Sequence, residues 1–182
     1  MKKINAFLWF DSEAEQAAKF YVGIFKNSKI GKIAHYGEDG PRPKGSVMTV
    51  EFTLDRVDFV ALNGGPQFKF TEAISFSVNC ETQDEIDYFW EKLSADGGST
   101  GRCGWLKDKF GLSWQVNPVV LGDMLADPDK AKAARVMNAL MEMDKIDIAA
   151  LEKAPQSEMT YDERRMRTLT QTLFFRFPYF GD

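Results

Sequence analysis

One order of predicted elements occurs twice in the first 118 residues. In the first half, hydrophobic periodicity predicts one strand, one helix and three strands, at residues 4–10, 12–27, 29–36, 46–54 and 57–62. The second half repeats that order, at residues 73–80, 82–93, near 99, 102–107 and 112–117. Such self-similarity predicts a duplicated βαβββ module. The alternative is an ordinary α+β sheet with two helices on one face.

The last predicted pair of strands forms the clearest hairpin. Its turn begins at Asp108 and ends at Gly111, which is the chemistry that a tight reversal requires. The second arm alternates between an apolar face and a polar face, formed by Leu112, Trp114 and Val116 and by Ser113, Gln115 and Asn117. We therefore expect the apolar face to pack on the core and the polar face to lie in a more hydrated environment.

Capping residues and composition define the remaining segments. Ser12 and Thr82 are the expected N-caps of the two helices. After the paired modules, which span 1–118 (about 1–66 and 71–118), helical periodicity predicts a C-terminal helical segment of the same domain at 119–154. Residues 155–182 form an aromatic-rich tail with an arginine patch, which we expect to pack on its own domain or on a partner subunit.

Charge and cysteine content exclude several classes of function. The chain has 23 basic and 27 acidic side chains, a net charge of -4, and no long basic run, so we expect neither nucleic acid nor a membrane as a partner. No segment approaches the roughly 20 apolar residues of a membrane span. The only cysteines are Cys80 and Cys103, which favours a cytoplasmic location.

Four runs of residues resemble a known family. They are FLWFDSEAEQAAKFY (7–21), KGSVMTVEF (44–52), ALNGGPQFKFTEAISFSVNCET (61–82) and CGWLKDKFGLSWQVNP (103–118). These runs are similar to the PhnB-like proteins of the vicinal-oxygen-chelate superfamily, which includes glyoxalase I, extradiol dioxygenases and bleomycin-resistance proteins. Many members carry the label 3-demethylubiquinone-9 3-methyltransferase. The resemblance covers about residues 3–153.

The resemblance implies an α+β fold of two βαβββ modules, each curved into a half-open cup that a homodimer completes. In metal-dependent relatives, His and Glu side chains on inward-facing strand positions hold a divalent ion. By the match, these positions fall on Asn5 or Phe7, on Ala61 or Asn63, on Ala73 or Ser75, and on Gln115. None of these residues is His, Asp or Glu, so we expect no metal site and no cofactor.

Strand parity and the resemblance together predict the lining of the cup. The predicted ligand-binding residues are Asn5, Phe7, Trp9, Asn63, Phe68, Phe70, Ser75, Cys103, Trp105 and Gln115. Aromatic walls with a few orienting polar groups suit a flat or mostly apolar small molecule. Alternatively, these aromatic side chains fill a collapsed cup or a dimer seam.

Cysteine and histidine are the two residue types of this sequence that bear on nucleophilic catalysis. Cys103 lies beside Arg102, and a nearby cation lowers the pKa of a thiol, so Cys103 is a candidate nucleophile; the alternative is a small residue that fills space. His35, the only histidine, ends a strand beside a polar loop, and we expect it at the surface. No catalytic residue is assigned.

The methyltransferase label predicts a glycine-rich turn between a strand and a helix, which would hold an adenosyl methyl donor. Gly64-Gly65-Pro66 follows a strand but leads into Gln67-Phe68-Lys69-Phe70, which is not a helical pattern. The sequence therefore predicts a plain turn there.

The leading hypothesis is a metal-independent, homodimeric protein that binds a small molecule. One alternative is an enzyme acting on an aromatic or quinone-like substrate, as a methyltransferase-like or a lyase- or isomerase-like protein. The other is an interaction protein that uses its C-terminal tail.

Overall fold

The structure is a computed structural model that describes residues 3–156. The first module contains β1 (Ala6–Phe10), α1 (Ala14–Ile24), β2 (Lys29–His35), β3 (Val47–Leu54) and β4 (Val57–Asn63). The second module contains β5 (Ser75–Cys80), α2 (Gln83–Ser94), β6 (Ser99–Thr100), β7 (Trp105–Lys107) and β8 (Ser113–Pro118). The predicted pair of βαβββ modules is confirmed. His35 ends β2 exposed, as predicted.

Each module forms one four-stranded mixed sheet with the same topology. The strand orders are β1-β4-β3-β2 in the first sheet and β5-β8-β7-β6 in the second. In both sheets the first strand pairs in parallel with the last, while the other pairs are antiparallel. The first strand of each module, β1 or β5, therefore lies at a free edge.

The apolar faces of the two sheets share one core with the helices. On α1, Tyr21 lies 5.5 Å from Trp114 of β8, measured between ring centroids. Phe59 of β4 packs edge-on against Phe76 of β5 at 5.1 Å. Because both contacts join the modules through their apolar faces, the opposite faces of the two sheets point away from each other.

A buried carboxylate also joins the modules. Asp108, which is 2 % exposed, accepts hydrogen bonds from the Tyr21 hydroxyl and the Trp114 indole, both at 2.8 Å. The amides of Phe110 and Leu112 also donate to it, at 2.8 and 3.1 Å. One side chain thus closes the hairpin turn and fixes α1 of the first module.

The hairpin itself differs from its prediction in one arm. The turn lies at Asp108–Gly111 as predicted, with Gly111 at a φ of 85° and its amide donating to the Asp108 carbonyl at 2.9 Å. The first arm was predicted from residue 102, but β7 begins at Trp105. Cys103 and Gly104 adopt positive φ values of 57° and 80°, which an extended strand excludes.

Of the two predicted N-caps, Thr82 of α2 is confirmed and Ser12 of α1 is wrong. Thr82 caps α2, its hydroxyl accepting from the amide of Glu85 at 3.2 Å. Ser12 does not cap α1, since that helix has no cap from its own flanking side chains. The cap instead comes from β4, where Asn63 Oδ1 accepts a hydrogen bond from the backbone amide of Ala14 at 2.8 Å.

Within residues 3–156, three α-helices follow the second module, namely α3 (Leu121–Leu125), α4 (Lys130–Met141) and α5 (Ile148–Lys153). The end of α4 is held to the loop before β7, because the amides of Cys103 and Gly104 donate to the carbonyls of Met143 and Asp144 at 2.7 and 2.8 Å. The predicted packing of the tail at 157–182 lies outside the described residues.

Candidate functional site

The face of the first sheet opposite α1 carries an aromatic cluster of Phe7, Trp9 and Phe68. Phe7 and Trp9 alternate with the buried Leu8 along β1, and Phe7 is 59 % exposed. Phe68, in the loop after β4, packs edge-on against Trp9 with 4.9 Å between ring centroids. Three of the predicted residues therefore lie together.

A glycine turn fixes the orientation of the Trp9 ring. The indole nitrogen donates to the Gly65 carbonyl at 2.8 Å. A Cβ at Gly64 would lie 2.3 Å from the ring, so only glycine allows this approach. The turn thus places a flat aromatic surface at the end of β4.

The corresponding face of the second sheet carries rows of polar side chains. Strand register places Trp105, Gln115 and Ser77 side by side across β7, β8 and β5. The Gln115 amide donates to the Ser75 hydroxyl at 2.8 Å, and the Asn117 amide donates to the Ser77 hydroxyl at 3.3 Å. Three further predicted residues, Ser75, Trp105 and Gln115, therefore also share a face.

One hydroxyl on this polar face has no hydrogen-bond partner. Ser113, between Ser75 and Lys107 in register, is 1 % exposed and is the only buried side-chain polar atom without a partner among residues 3–156. Lys107 reaches Glu72 in an ion pair of 2.5 Å, and its hydrogen bond lowers the pKa of that carboxyl. Lys107 stands next to Ser113 in the same row across the sheet, so one partner of the ion pair is a direct neighbour of Ser113.

The other four predicted residues belong to neither of these two groups. Asn63 lies on the apolar side of β4, and its amide also donates to the Val47 carbonyl at 3.0 Å. The parity of β4 was wrong by one residue, since Val60 and Leu62 pair with Phe7 and Trp9.

Phe70 packs against the core, 5.2 Å from Phe10. Asn5 is exposed just before β1 begins.

Cys103, the fourth of these residues, turns towards the C-terminal helices instead of the sheet. Its Sγ lies 3.5 Å from the Leu140 carbonyl and 3.6 Å from the Met141 sulfur. The predicted parity assumed an extended arm, whereas the left-handed turn redirects this side chain. Cys80 is fully buried as predicted, and burial raises the pKa of its thiol to about 12.

The residues at the family's metal positions do not fit a divalent metal. Phe7, Asn63, Ser75 and Gln115 offer an aromatic ring, a hydroxyl and two amides in place of imidazole or carboxylate ligands. Within residues 3–156, no group of three or more His, Cys, Asp or Glu side chains could hold a metal ion.

The glycine turn likewise does not fit the phosphate- or adenosyl-binding turn of a doubly wound sheet. The segment after β4 contains no helix before β5. The space beside Gly64 holds the Trp9 ring, and a Cβ at Gly65 would lie 2.4 Å from the Gln67 side chain. The side chains of Trp9 and Gln67 therefore occupy the space in which a phosphate or an adenosyl group would have to lie.

A cleft of about 810 Å³ lies between the modules. We call it the inter-module cleft; it is lined by the C-terminal end of α1, the β3–β4 turn, β5, the first turns of α2, and Trp114. None of the predicted ligand-binding residues lines it. Among its residues, Trp114 had been predicted to lie on the core-facing side of its strand, and no pattern in the sequence indicated that these walls would meet.

Comparisons with solved structures define the class of fold. A putative 3-demethylubiquinone-9 3-methyltransferase, PhnB protein, from Bacillus cereus is 37% identical over 65% of this chain and 100% of that chain, with a TM-score of 0.59. A protein from Pseudomonas aeruginosa is 20% identical over 65% and 98% of the two chains, with a TM-score of 0.53. The fosfomycin resistance protein FosX from Mesorhizobium loti is 13% identical over 70% and 100%, with a TM-score of 0.50. The last two share the fold only.

The chain is therefore an α+β protein with the glyoxalase/bleomycin-resistance fold. A family model described as 3-demethylubiquinone-9 3-methyltransferase matches residues 2–117, and the chain belongs to that family, whose relatives include the PhnB protein. No curated protein matches the chain. Among residues 3–156, no helix has the length and apolar character needed to cross a membrane.

Proposed function

We propose that the protein is a metal-independent, homodimeric protein that binds a small, mostly apolar molecule between the open faces of its sheets. The observation that carries this proposal is that the two sheets present surfaces of different chemistry. The aromatic cluster lies on one sheet, and the row of amide and hydroxyl groups lies on the other. These two surfaces complement each other chemically, as the apolar wall and the orienting groups of a binding site do.

A second copy of the chain would bring these surfaces together. The two open faces point away from each other within one chain, since the apolar faces meet in the shared core. Exposed apolar side chains accompany both free edges, with Phe7 on β1 at 59 % and Ile74 just before β5 at 71 % exposure. Free edges with exposed apolar residues favour association.

The polar face indicates a neutral ligand with hydrogen-bonding oxygens. Gln115 and Asn117 each supply an amide with two donors and an acceptor, and Trp105 lies beside Gln115 in register. The Lys107 ammonium is already paired with Glu72. A quinone or a similar carbonyl-bearing ring matches these groups, and its flat face matches Trp9 and Phe68.

The dimer is tested by sedimentation equilibrium. We expect the wild type to be a dimer at about 10 μM and Phe7→Glu to be largely monomeric, because the new carboxylate would be buried in the interface. Met137→Glu is the matched control, since Met137 is an apolar residue on α4 with 43 % exposure. A monomeric wild type at about 100 μM would refute the dimer.

Ligand binding is tested by titration with 2,3-dimethoxy-5-methyl-1,4-benzoquinone, followed by quenching of tryptophan fluorescence. We expect Trp9→Phe to remove the contribution of Trp9 to the quenching and to leave that of Trp105, while Trp90→Phe on α2 leaves the quenching unchanged. Gln115→Leu removes the amide and is expected to weaken binding by about tenfold. Quenching with an unchanged amplitude in Trp9→Phe and an unchanged midpoint in Gln115→Leu would place the ligand elsewhere and refute the site.

A further inference from the structure

The inter-module cleft shares Ser77 with the polar rows of the second sheet and shares no residue with the aromatic cluster. Its walls come from both modules and include six aromatic side chains, those of Phe25, Phe59, Phe76, Tyr88, Phe89 and Trp114. The rings are fixed by contacts among themselves, such as Phe25 stacked on Phe89 at 5.0 Å and on Trp114 at 5.5 Å between centroids. The volume of about 810 Å³ falls within the range of drug-sized binding sites.

Negative charge predominates among the side chains that line this cleft. Three carboxylates, those of Asp55, Asp84 and Glu85, face one ammonium, that of Lys26. Asp55 lies 3.8 Å from Arg56 Nε, and the Glu85 carboxylate accepts from the Glu81 amide at 2.7 Å.

Asp84 is exposed and has no ion-pair partner among residues 3–156.

The helix termini add to this field. The C-terminal end of α1 borders the cleft, and no basic residue occurs in its last turn. Lys26, two residues beyond this end, and the Tyr88 hydroxyl, which donates to the Ile24 carbonyl at 2.9 Å, offset part of the partial negative charge there, and a cation would stabilise the remainder. The N-terminal end of α2 also borders the cleft, but Asp84 and Glu85 in its first turn offset the opposite partial charge.

We propose that the inter-module cleft is a second binding site that takes an organic cation with an aromatic or apolar body. The ring faces supply an apolar, quadrupolar surface on which a cation is stabilised. The carboxylates and the carbonyl end of α1 then favour a positive over a negative ligand of equal shape. This site does not depend on a second copy of the chain, on the aromatic cluster or on Gln115.

The probe is N-methylacridinium, a three-ring cation whose charge does not change with pH, titrated by fluorescence anisotropy. Anthracene-9-carboxylate, a three-ring anion of similar size, is the control ligand. We expect saturable binding of the cation and at least about tenfold weaker binding of the anion. No binding of the cation at about 1 mM, or equal affinity for the anion, would overturn the proposal.

Two variants locate the site. Val57→Trp places a large ring at the mouth of the cleft, where Val57 is 53 % exposed, and is expected to abolish cation binding. Asp84→Asn is expected to weaken it about threefold, while Glu91→Gln, an exposed acid on α2 outside the lining, leaves it unchanged. Cation binding that Val57→Trp leaves intact would contradict the site even if the protein remains a dimer that binds the quinone.

Discussion

The buried carboxylate of Asp108 allows the energetics of the fold to be tested at one residue. Its four hydrogen-bond donors come from the hairpin turn, from Trp114 and from Tyr21. In Asp108→Ala, these donors lose their acceptor at a site that is 2 % exposed. At about 1 kcal/mol or more for each orphaned donor, we expect a loss of roughly 4–6 kcal/mol in the free energy of unfolding.

Two milder substitutions rank the individual contacts. In Asp108→Asn, one oxygen still accepts from two donors, and the Tyr21 hydroxyl can rotate to accept from the new amide, but the Trp114 indole can only donate. We expect a cost of about 2–3 kcal/mol. Tyr21→Phe removes a single donor and leaves three, so we expect about 1.5–3 kcal/mol. Urea unfolding followed by far-UV circular dichroism measures all three variants.

The dependence on pH gives an independent check. Burial raises the pKa of Asp108 above its ordinary value of 3.8, although its hydrogen bonds act in the opposite direction. The folded state then binds this proton more tightly than the unfolded state, so stability falls as pH rises from 3.8 through the raised pKa. We expect the stability advantage of the wild type over Asp108→Asn to grow as pH falls.

The difference between the two proteins isolates this residue, since the other carboxylates contribute equally to both. Unfolding is measured in urea at several pH values from about pH 7 to about pH 4. An advantage that shrinks as pH falls would show that the four hydrogen bonds outweigh burial. That result would refute the argument, because the pKa of Asp108 would then be lowered in the folded state.

Three further changes test particular contacts. Gly64→Ala places a Cβ 2.3 Å from the Trp9 ring, so we expect a loss of about 1–3 kcal/mol in urea unfolding and a shift in tryptophan emission; unchanged emission would contradict the packing. Asn63→Ala leaves a buried amide and a carbonyl unpaired and is expected to cost about 3 kcal/mol, again by urea unfolding. At about pH 8, iodoacetamide is expected to alkylate Cys103 and to spare Cys80, because burial raises the pKa of the Cys80 thiol to about 12. Mass spectrometry of the native protein measures both sites. Alkylation of Cys80 before Cys103 would contradict the burial of Cys80.

Local patterns predicted most of the fold because strand alternation and helical spacing are short-range signals. The faces of β8 followed directly from Trp114 and Gln115, which lie on opposite sides as the alternation required. The predictions failed where a long-range contact decided the outcome. Asn63 supplies the cap of α1 from a strand 49 residues later than Ala14, and nothing near Ser12 indicates this.

The candidate site was only partly predictable for the same reason. The positions of Phe7 and Trp9 on β1, and of Ser75 on β5, were predictable because each depends only on the alternation along its own strand. Cys103 did not, because two successive left-handed residues interrupt the predicted arm. The inter-module cleft was not predictable at all, since its walls meet only when the two modules pack on each other.

The attachment of α4 to the loop before β7 makes two amides into reporters of local opening. The amides of Cys103 and Gly104 donate to carbonyls just beyond α4, so they exchange hydrogen with solvent only when that contact opens. Amides inside β8 report instead on the opening of the sheet. If the C-terminal helices detach as a unit, the first pair will exchange faster than the second, and the ratio of its observed to its intrinsic exchange rate gives the free energy of detachment.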